Sequence, residues 1–244
     1  MVSADLGHGR NQVLGALELP VRARFEGRIE LVSLSKGQVL QETGETVDWV
    51  YFPETGLIGL NAETSGGESA QCASVGFEGA VGVFEACGSR RAFYRAVVQV
   101  PGQAWRAKAA TYRELFDASA SLRIAVHKLV EGLLAEARQY VACNALHTLQ
   151  SRLARLLLDV RDKGQCGATL PVTQDALAQM LGVQRTSVAL AVASLEKAGV
   201  LRRGRGAIEI TDAAGLEREA CACRDTLSFA REEIYASLDA VCEA

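Results

Sequence analysis

The segment from Pro171 to Leu201 admits few folds. Thr173 has the chemistry of a helix N-cap and is followed by an amphipathic stretch carrying Leu177, Met180 and Leu181. Gly182 then permits a sharp turn through positive φ, and Val183 supplies a small apolar plug. A second helix is predicted to begin near Gln184, with Val188, Val192 and Leu195 on its inner face and the small Ala178 allowing a close crossing. This is the pattern of a helix-turn-helix, whose second helix enters the major groove of DNA. The following run, Leu201 to Asp212, has two short β patterns around a Gly-rich basic tip, which reads as the wing of a winged helix.

The pattern nominates side chains. Arg185 and Gln184, with Thr186 and Ser187, lie on the first turn of the second helix, where Arg matches guanine and Gln matches adenine. Thr173 and Gln174, at the start of the first helix, suit phosphate contact. Arg203 and Arg205 at the wing tip are candidates for the backbone or minor groove, against the alternative of a solvated basic turn. Charge agrees with this placement. The net charge of the chain is −3, but residues 148–215 carry +3 and residues 216–244 carry −4. Bulk charge is therefore excluded as a mode of nucleic-acid binding, and a local basic face is not.

Upstream, Ile29–Leu34, Val47–Phe52, Leu57–Leu60, Ala70–Val75 and Tyr94–Val100 read as strands. Turn signals at Lys36-Gly37, Pro53–Gly56, Ser65–Gly67 and Pro101-Gly102 separate them, as in a β-barrel or sandwich. Residues 111–144 are predicted to form one long helix with Leu122, Val126, Leu129, Leu133, Ala137 and Tyr140 on one face. That seam either packs on a second copy in a parallel dimer or is buried on its own β domain. A final stripe from Leu216 through Ala220, Cys223, Leu227, Ala230, Ile234 and Leu238 to Val241 predicts an amphipathic helix over 216–244.

Other classes fall away. The longest uncharged stretch, Gln139 to Ser151, is 13 residues and polar, so no membrane span or membrane partner is expected. No secretory signal is read at the N-terminus, and seven scattered cysteines fit a reduced, cytoplasmic setting better than a disulfide framework. Phosphate-loop, dinucleotide-binding and zinc-protease motifs are not seen, so the chain is not read as an enzyme and no cofactor is expected. Cys143 and His147 share a helix face, and Cys221-Ala-Cys223 follows the wing. They could make a four-ligand Zn²⁺ set, although nothing in the sequence brings the two pairs together and buried free cysteines are common.

The whole resembles the Crp/Fnr family of bacterial transcription regulators. The local marks are Val50-Tyr-Phe-Pro-Glu-Thr-Gly-Leu-Ile58, Gly76-Phe-Glu-Gly-Ala-Val-Gly82, Cys143-Asn-Ala-Leu-His147, Arg152-Leu-Ala-Arg-Leu-Leu-Leu158 and the helix-turn-helix. The resemblance implies an α+β chain: a cyclic-nucleotide-binding-like β-roll (jelly roll) over 1–110, a dimerisation helix over 111–144, a winged helix-turn-helix over 145–215 and a C-terminal amphipathic helix over 216–244. It further implies a homodimer on pseudo-palindromic double-stranded DNA, contact with RNA polymerase, and room for a small-molecule effector. In that family the cyclic AMP site uses a Glu, an Arg-Ser pair and hydroxyls on the long helix. The matching positions here are Ala80, Arg91-Ala92, and Ala137 with Arg138, so tight cyclic AMP binding is not expected. Arg90, Arg91 and Arg138 remain candidates for another anion. The first cysteine is Cys72, so the family's N-terminal iron–sulfur cluster is not expected either. A constitutive DNA binder with a ligand-free β-roll and a metal or redox sensor using Cys143, His147, Cys221 and Cys223 are the alternatives.

Overall fold

The computed structural model of the chain describes residues 9–239. Two short helices, α1 (Gln12–Gly15) and α2 (Leu19–Phe25), precede strands β1 (Ile29–Leu34), β2 (Val39–Gln41), β3 (Trp49–Glu63) and β4 (Ser69–Val75). Helix α3 (Val83–Cys87) leads to β5 (Arg95–Lys108), then to α4 (Ala109–Ala118), α5 (Ala120–Leu146) and α6 (Leu149–Lys163). The C-terminal part comprises β6 (Thr169–Leu170), α7 (Gln174–Leu181), α8 (Arg185–Lys197), β7 (Leu201–Gly204), β8 (Ala207–Ile210), α9 (Ala213–Glu219) and α10 (Cys223–Asp239). Among the described residues no helix is long and apolar enough to cross a membrane.

The N-terminal sheet is antiparallel in the order β1-β5-β3-β4, with β2 also on β5. Two expected turns are absent. Pro53–Gly56 lies inside β3, and Pro101-Gly102 lies inside β5. The two segments face each other, and the register slips there between Pro53 and Ile58. Both strands bend as one, and a bulge is where a sheet tolerates the missing N–H of proline. Gly56 sits at φ +86, and a Cβ there would stand 2.6 Å from the Val100 carbonyl oxygen. The bend has a packing consequence. Val50 and Phe52 face a core with Tyr112, Leu115, Leu122 and Val126. Tyr51, Ile58, Leu60 and Val98 form a second core. Leu57 and Val100, at the bend, join the core of the helix-turn-helix part beside Leu153, Leu157, Leu177 and Val192.

The single helix expected over 111–144 is two. Ser119 is extended, at φ −123 and ψ 119, and its Oγ accepts from the Leu122 N–H at 3.1 Å, capping α5. The seam of α5 is covered by its own chain: Leu122, Val126, Leu129 and Tyr140 are buried, and Leu133 packs partly against the sheet. Helix α10 lies along α5 at Gly132, where a Cβ would stand 3.4 Å from the Tyr235 hydroxyl. The helix expected over 216–244 is also divided, because Ala220 is extended (φ −70, ψ 150) between α9 and α10. Leu216, Cys223 and Leu227 of its stripe are buried, and Val241 lies outside the described residues.

The parts are joined by a buried cation. Lys163 at the end of α6 donates to the Glu136 carboxylate of α5 at 2.6 Å and to the Ser74 carbonyl of β4 at 3.0 Å. Glu78 lies 3.6 Å away. Burial alone would raise the Glu136 carboxyl, but the charge and hydrogen bond of Lys163 outweigh it and hold it below its ordinary value.

Candidate nucleic-acid interface

Helix α7 begins as the sequence requires: the Thr173 hydroxyl accepts from the Ala176 N–H at 3.1 Å. It ends on Gly182 at φ +63, which returns the chain into α8. Leu177, Met180, Leu181, Val188, Val192 and Leu195 are buried in one core, with Val183 packed against it. Arg152 of α6 donates to the Leu181 carbonyl at 2.8 Å, satisfying one of the acceptors left open at the C-terminus of α7. That role was not read from the sequence, because the partner is a backbone atom brought close only by folding.

This core leaves one edge of α8 outward. Gln184, the N-cap, and Arg185 and Thr186 are exposed, and Ser187 is half-buried. The Arg185 guanidinium lies 3.2 Å from Asp175 of α7, with both side chains more than half exposed. A surface pair of this kind contributes at most about 1 kcal/mol, so it orients Arg185 without sequestering it. Thr173 and Gln174 lie half-buried at the same edge.

The wing is a three-stranded sheet in the order β6-β8-β7, with β6 not foreseen. Its turn is Arg205-Gly206, Gly206 adopts φ +73, and Arg205 is exposed at the tip. Arg203 is differently engaged. Its backbone N–H and its side chain both bind Glu196 of α8, at 3.1 and 2.7 Å. The backbone hydrogen bond first, then that of the side chain, holds the Glu196 carboxyl below its ordinary value. Arg203 therefore anchors the wing to α8, a role the sequence reading did not assign.

The turn between α7 and α8 also faces the N-terminal domain. Gly182, Val183 and Gln184 lie across a cleft of about 810 Å³ from Ser69 and Ala70 of β4. A Cβ on Gly182 would stand 3.1 Å from the Ala70 methyl.

Residues 151–219 match the family of Crp-like helix-turn-helix domains. No curated protein matches the chain. Among solved structures, a Crp/Fnr-family transcriptional regulator from Thermus thermophilus is similar over 78% of this chain and 98% of its own, at 25% identity and TM-score 0.65. A regulator assigned to the same family from Eubacterium rectale is similar over 86% of this chain and 98% of its own, at 15% identity and TM-score 0.68. FixK2 from Bradyrhizobium japonicum covers 80% of this chain and 98% of its own, at 16% identity and TM-score 0.65. Residues 151–219 thus belong to the Crp-like helix-turn-helix family, and the whole chain has the fold of Crp/Fnr regulators. Its architecture is the one these regulators share, an N-terminal antiparallel sheet, a long helix and a C-terminal helix-turn-helix.

The chain has a second concavity of about 250 Å³ between the sheet and α5. Leu60, Ala80, Phe84, Leu129, Leu133 and Ala137 give it apolar walls. Buried Glu85 and half-buried Tyr94 are its polar members, with the Tyr94 hydroxyl donating to Glu85 at 3.2 Å. Burial pushes both groups upward, and the Glu85 charge adds to the shift of Tyr94. The candidate effector arginines do not line it. Arg91 reaches the Gly44 carbonyl at 2.9 Å, Arg90 is exposed at φ +61, and Arg138 is exposed on α5. Ala80 and Ala137 line it, but the structure does not bring the three arginines together.

The four candidate metal ligands, by contrast, converge. Cys143, His147, Cys221 and Cys223 place one ligand atom each within 4.8 Å of one another.

Proposed function

We propose that this Crp/Fnr-type transcription regulator acts as a homodimer on pseudo-palindromic operators. Bases are read by Arg185, Gln184, Thr186 and Ser187, with Thr173, Gln174, Arg203 and Arg205 on phosphates. The observation that carries this is the outward N-terminal turn of α8 together with an exposed basic wing tip, in a stretch, 148–215, of net charge +3. Replacing Arg185 by Ala should cost specific operator binding about 1–3 kcal/mol and relax selectivity at one base position. Equal affinity for operator and for scrambled DNA in both proteins, by fluorescence anisotropy, rejects the assignment.

The dimer surface proposed here is a face of α5 adjacent to the seam expected, sharing Ala137 with it. Val130, Leu134, Ala137 and Val141 are spaced 4, 3 and 4 apart, and Leu134 and Val141 are 47% and 72% exposed. That is coiled-coil spacing on a helix whose other side is already covered. Leu134 also lines the apolar concavity with Phe84, so a small ligand there would sit against the dimer surface. The lining described carries no Lys or Arg to meet a phosphate. The controlling signal is accordingly one other than cyclic AMP, and titration calorimetry should give no sub-micromolar Kd for that nucleotide. Contact with RNA polymerase at promoters and a cytoplasmic setting complete the reading, which assigns no catalysis.

A further inference from the structure

We propose that Cys143, His147, Cys221 and Cys223 bind one structural Zn²⁺ ion that clamps the junction between the long helix and the DNA-binding domain. The Cys143 and Cys221 sulfurs lie 3.5 Å apart, and the Cys223 sulfur lies 3.3 Å from His147 Nδ1. All four ligand atoms fall within 4.8 Å of one another. With Zn–S of about 2.3 Å and Zn–N of about 2.0–2.1 Å, a tetrahedron has S–S edges of about 3.8 Å and S–N edges of about 3.5 Å. The two pairs at 3.5 and 3.3 Å lie within about 0.3 Å of these edges, and the widest separation, at most 4.8 Å, needs to shorten by about 1 Å to close on a single ion.

The surroundings fit a thiolate centre better than a packing cluster. The three cysteines are buried together, with the half-buried His147 imidazole beside them. Three thiolates and Zn²⁺ carry a net charge of −1, and the protons of the three thiols pass to solvent on binding. Arg152, 9% exposed, interacts electrostatically with Cys143 and Cys221, and its Nε is buried without a hydrogen-bond partner. Gln139 Nε2 donates to the Cys223 sulfur at 3.0 Å, as an outer-shell amide would to a bound thiolate. Four protein ligands leave no open position, which makes the site structural and not catalytic.

The topology says what the ion would hold. Cys143 is in the last turn of α5, and His147 is the residue that ends it, directly before the N-cap of α6. Cys221 lies between α9 and α10, and Cys223 opens α10. One ion would therefore cross-link residues 78 apart in sequence at the point where the long helix gives way to the DNA-binding domain.

The test uses the full chain, purified under reducing conditions without added metal. Mass-spectrometric metal analysis should give about one zinc per chain. Cobalt(II) added to chelator-stripped protein should produce tetrahedral visible bands with thiolate charge transfer in the near ultraviolet. The Cys223→Ser and His147→Ala variants should weaken or lose the metal, and Cys87→Ser, outside the set, should keep it. Three outcomes overturn the proposal: below about 0.1 equivalent of zinc with no tetrahedral cobalt spectrum; a Cys143–Cys221 disulfide in the reduced preparation; or zinc retained in full by a Cys221→Ser/Cys223→Ser double variant. The cobalt spectrum of the unmutated chain decides the matter even where a variant fails to fold.

Discussion

Glu85 shows how burial sets the behaviour of one side chain. It is 7% exposed, accepts from Tyr94, and has no described cation beside it, so its carboxyl is pushed up. A carboxyl raised in the folded state contributes stability that is complete below its unfolded value, near pH ~4.3, and is lost as pH rises through the folded value. Glu85→Gln removes that loss. Its thermal midpoint should exceed that of the unmutated chain at neutral pH and coincide with it near pH ~4. A deficit at neutral pH that shrinks near pH ~4 would instead mean that Glu85 is held as a satisfied carboxylate. Arg185 and Arg203 are a second contrast at this scale. Both are exposed arginines with acidic neighbours, yet Arg203 adds a backbone hydrogen bond to the same Glu196 and is fixed, whereas Arg185 has only a surface pair.

Among the elements, α5 carries the sharpest expectation. Its buried stripe is satisfied within the chain, so Leu134→Glu/Val141→Glu should abolish self-association in analytical ultracentrifugation while leaving the circular dichroism spectrum unchanged. A dimer of undiminished strength would place the contact elsewhere. What could be read from the sequence follows from range. Thr173, Gly182 and Val183 specify α7, the turn and α8 through neighbours a few residues away, and each was legible. Pro53–Gly56 and Pro101-Gly102 look like turns in isolation, and they become a bend only because each faces the other across the ladder. Periodicity over 111–144 revealed the stripe of α5 but neither the break at Ser119 nor its covering by α10, since period carries no information about partner. The convergence of Cys143 and His147 with Cys221 and Cys223 is likewise a product of tertiary packing. Half of the set was visible as a helix spacing, and the meeting of the halves was not.

At the scale of the molecule, charge and packing tell the same story. The positive stretch, 148–215, holds the helix-turn-helix and wing, and an acidic segment follows it. A mild total charge limits the affinity for arbitrary DNA, which rises with every phosphate neutralised; on the proposed reading selectivity then rests on the few groups on α8. The domains are not independent beads. Leu57 and Val100 of the sheet enter the helix-turn-helix core, and Lys163 ties α6 to Glu136 and Ser74. Direct contacts thus run from the sheet and α5 into the core that seats α8. The most direct measurement is selection of bound duplexes from a random pool by the purified full chain, followed by sequencing. The expected result is an inverted repeat with half-sites one helical turn apart, about 10 base pairs, whose enrichment at one position disappears with Arg185→Ala. A pool with no enriched sequence, or an enrichment that Arg185→Ala leaves untouched, would contradict base reading by α8.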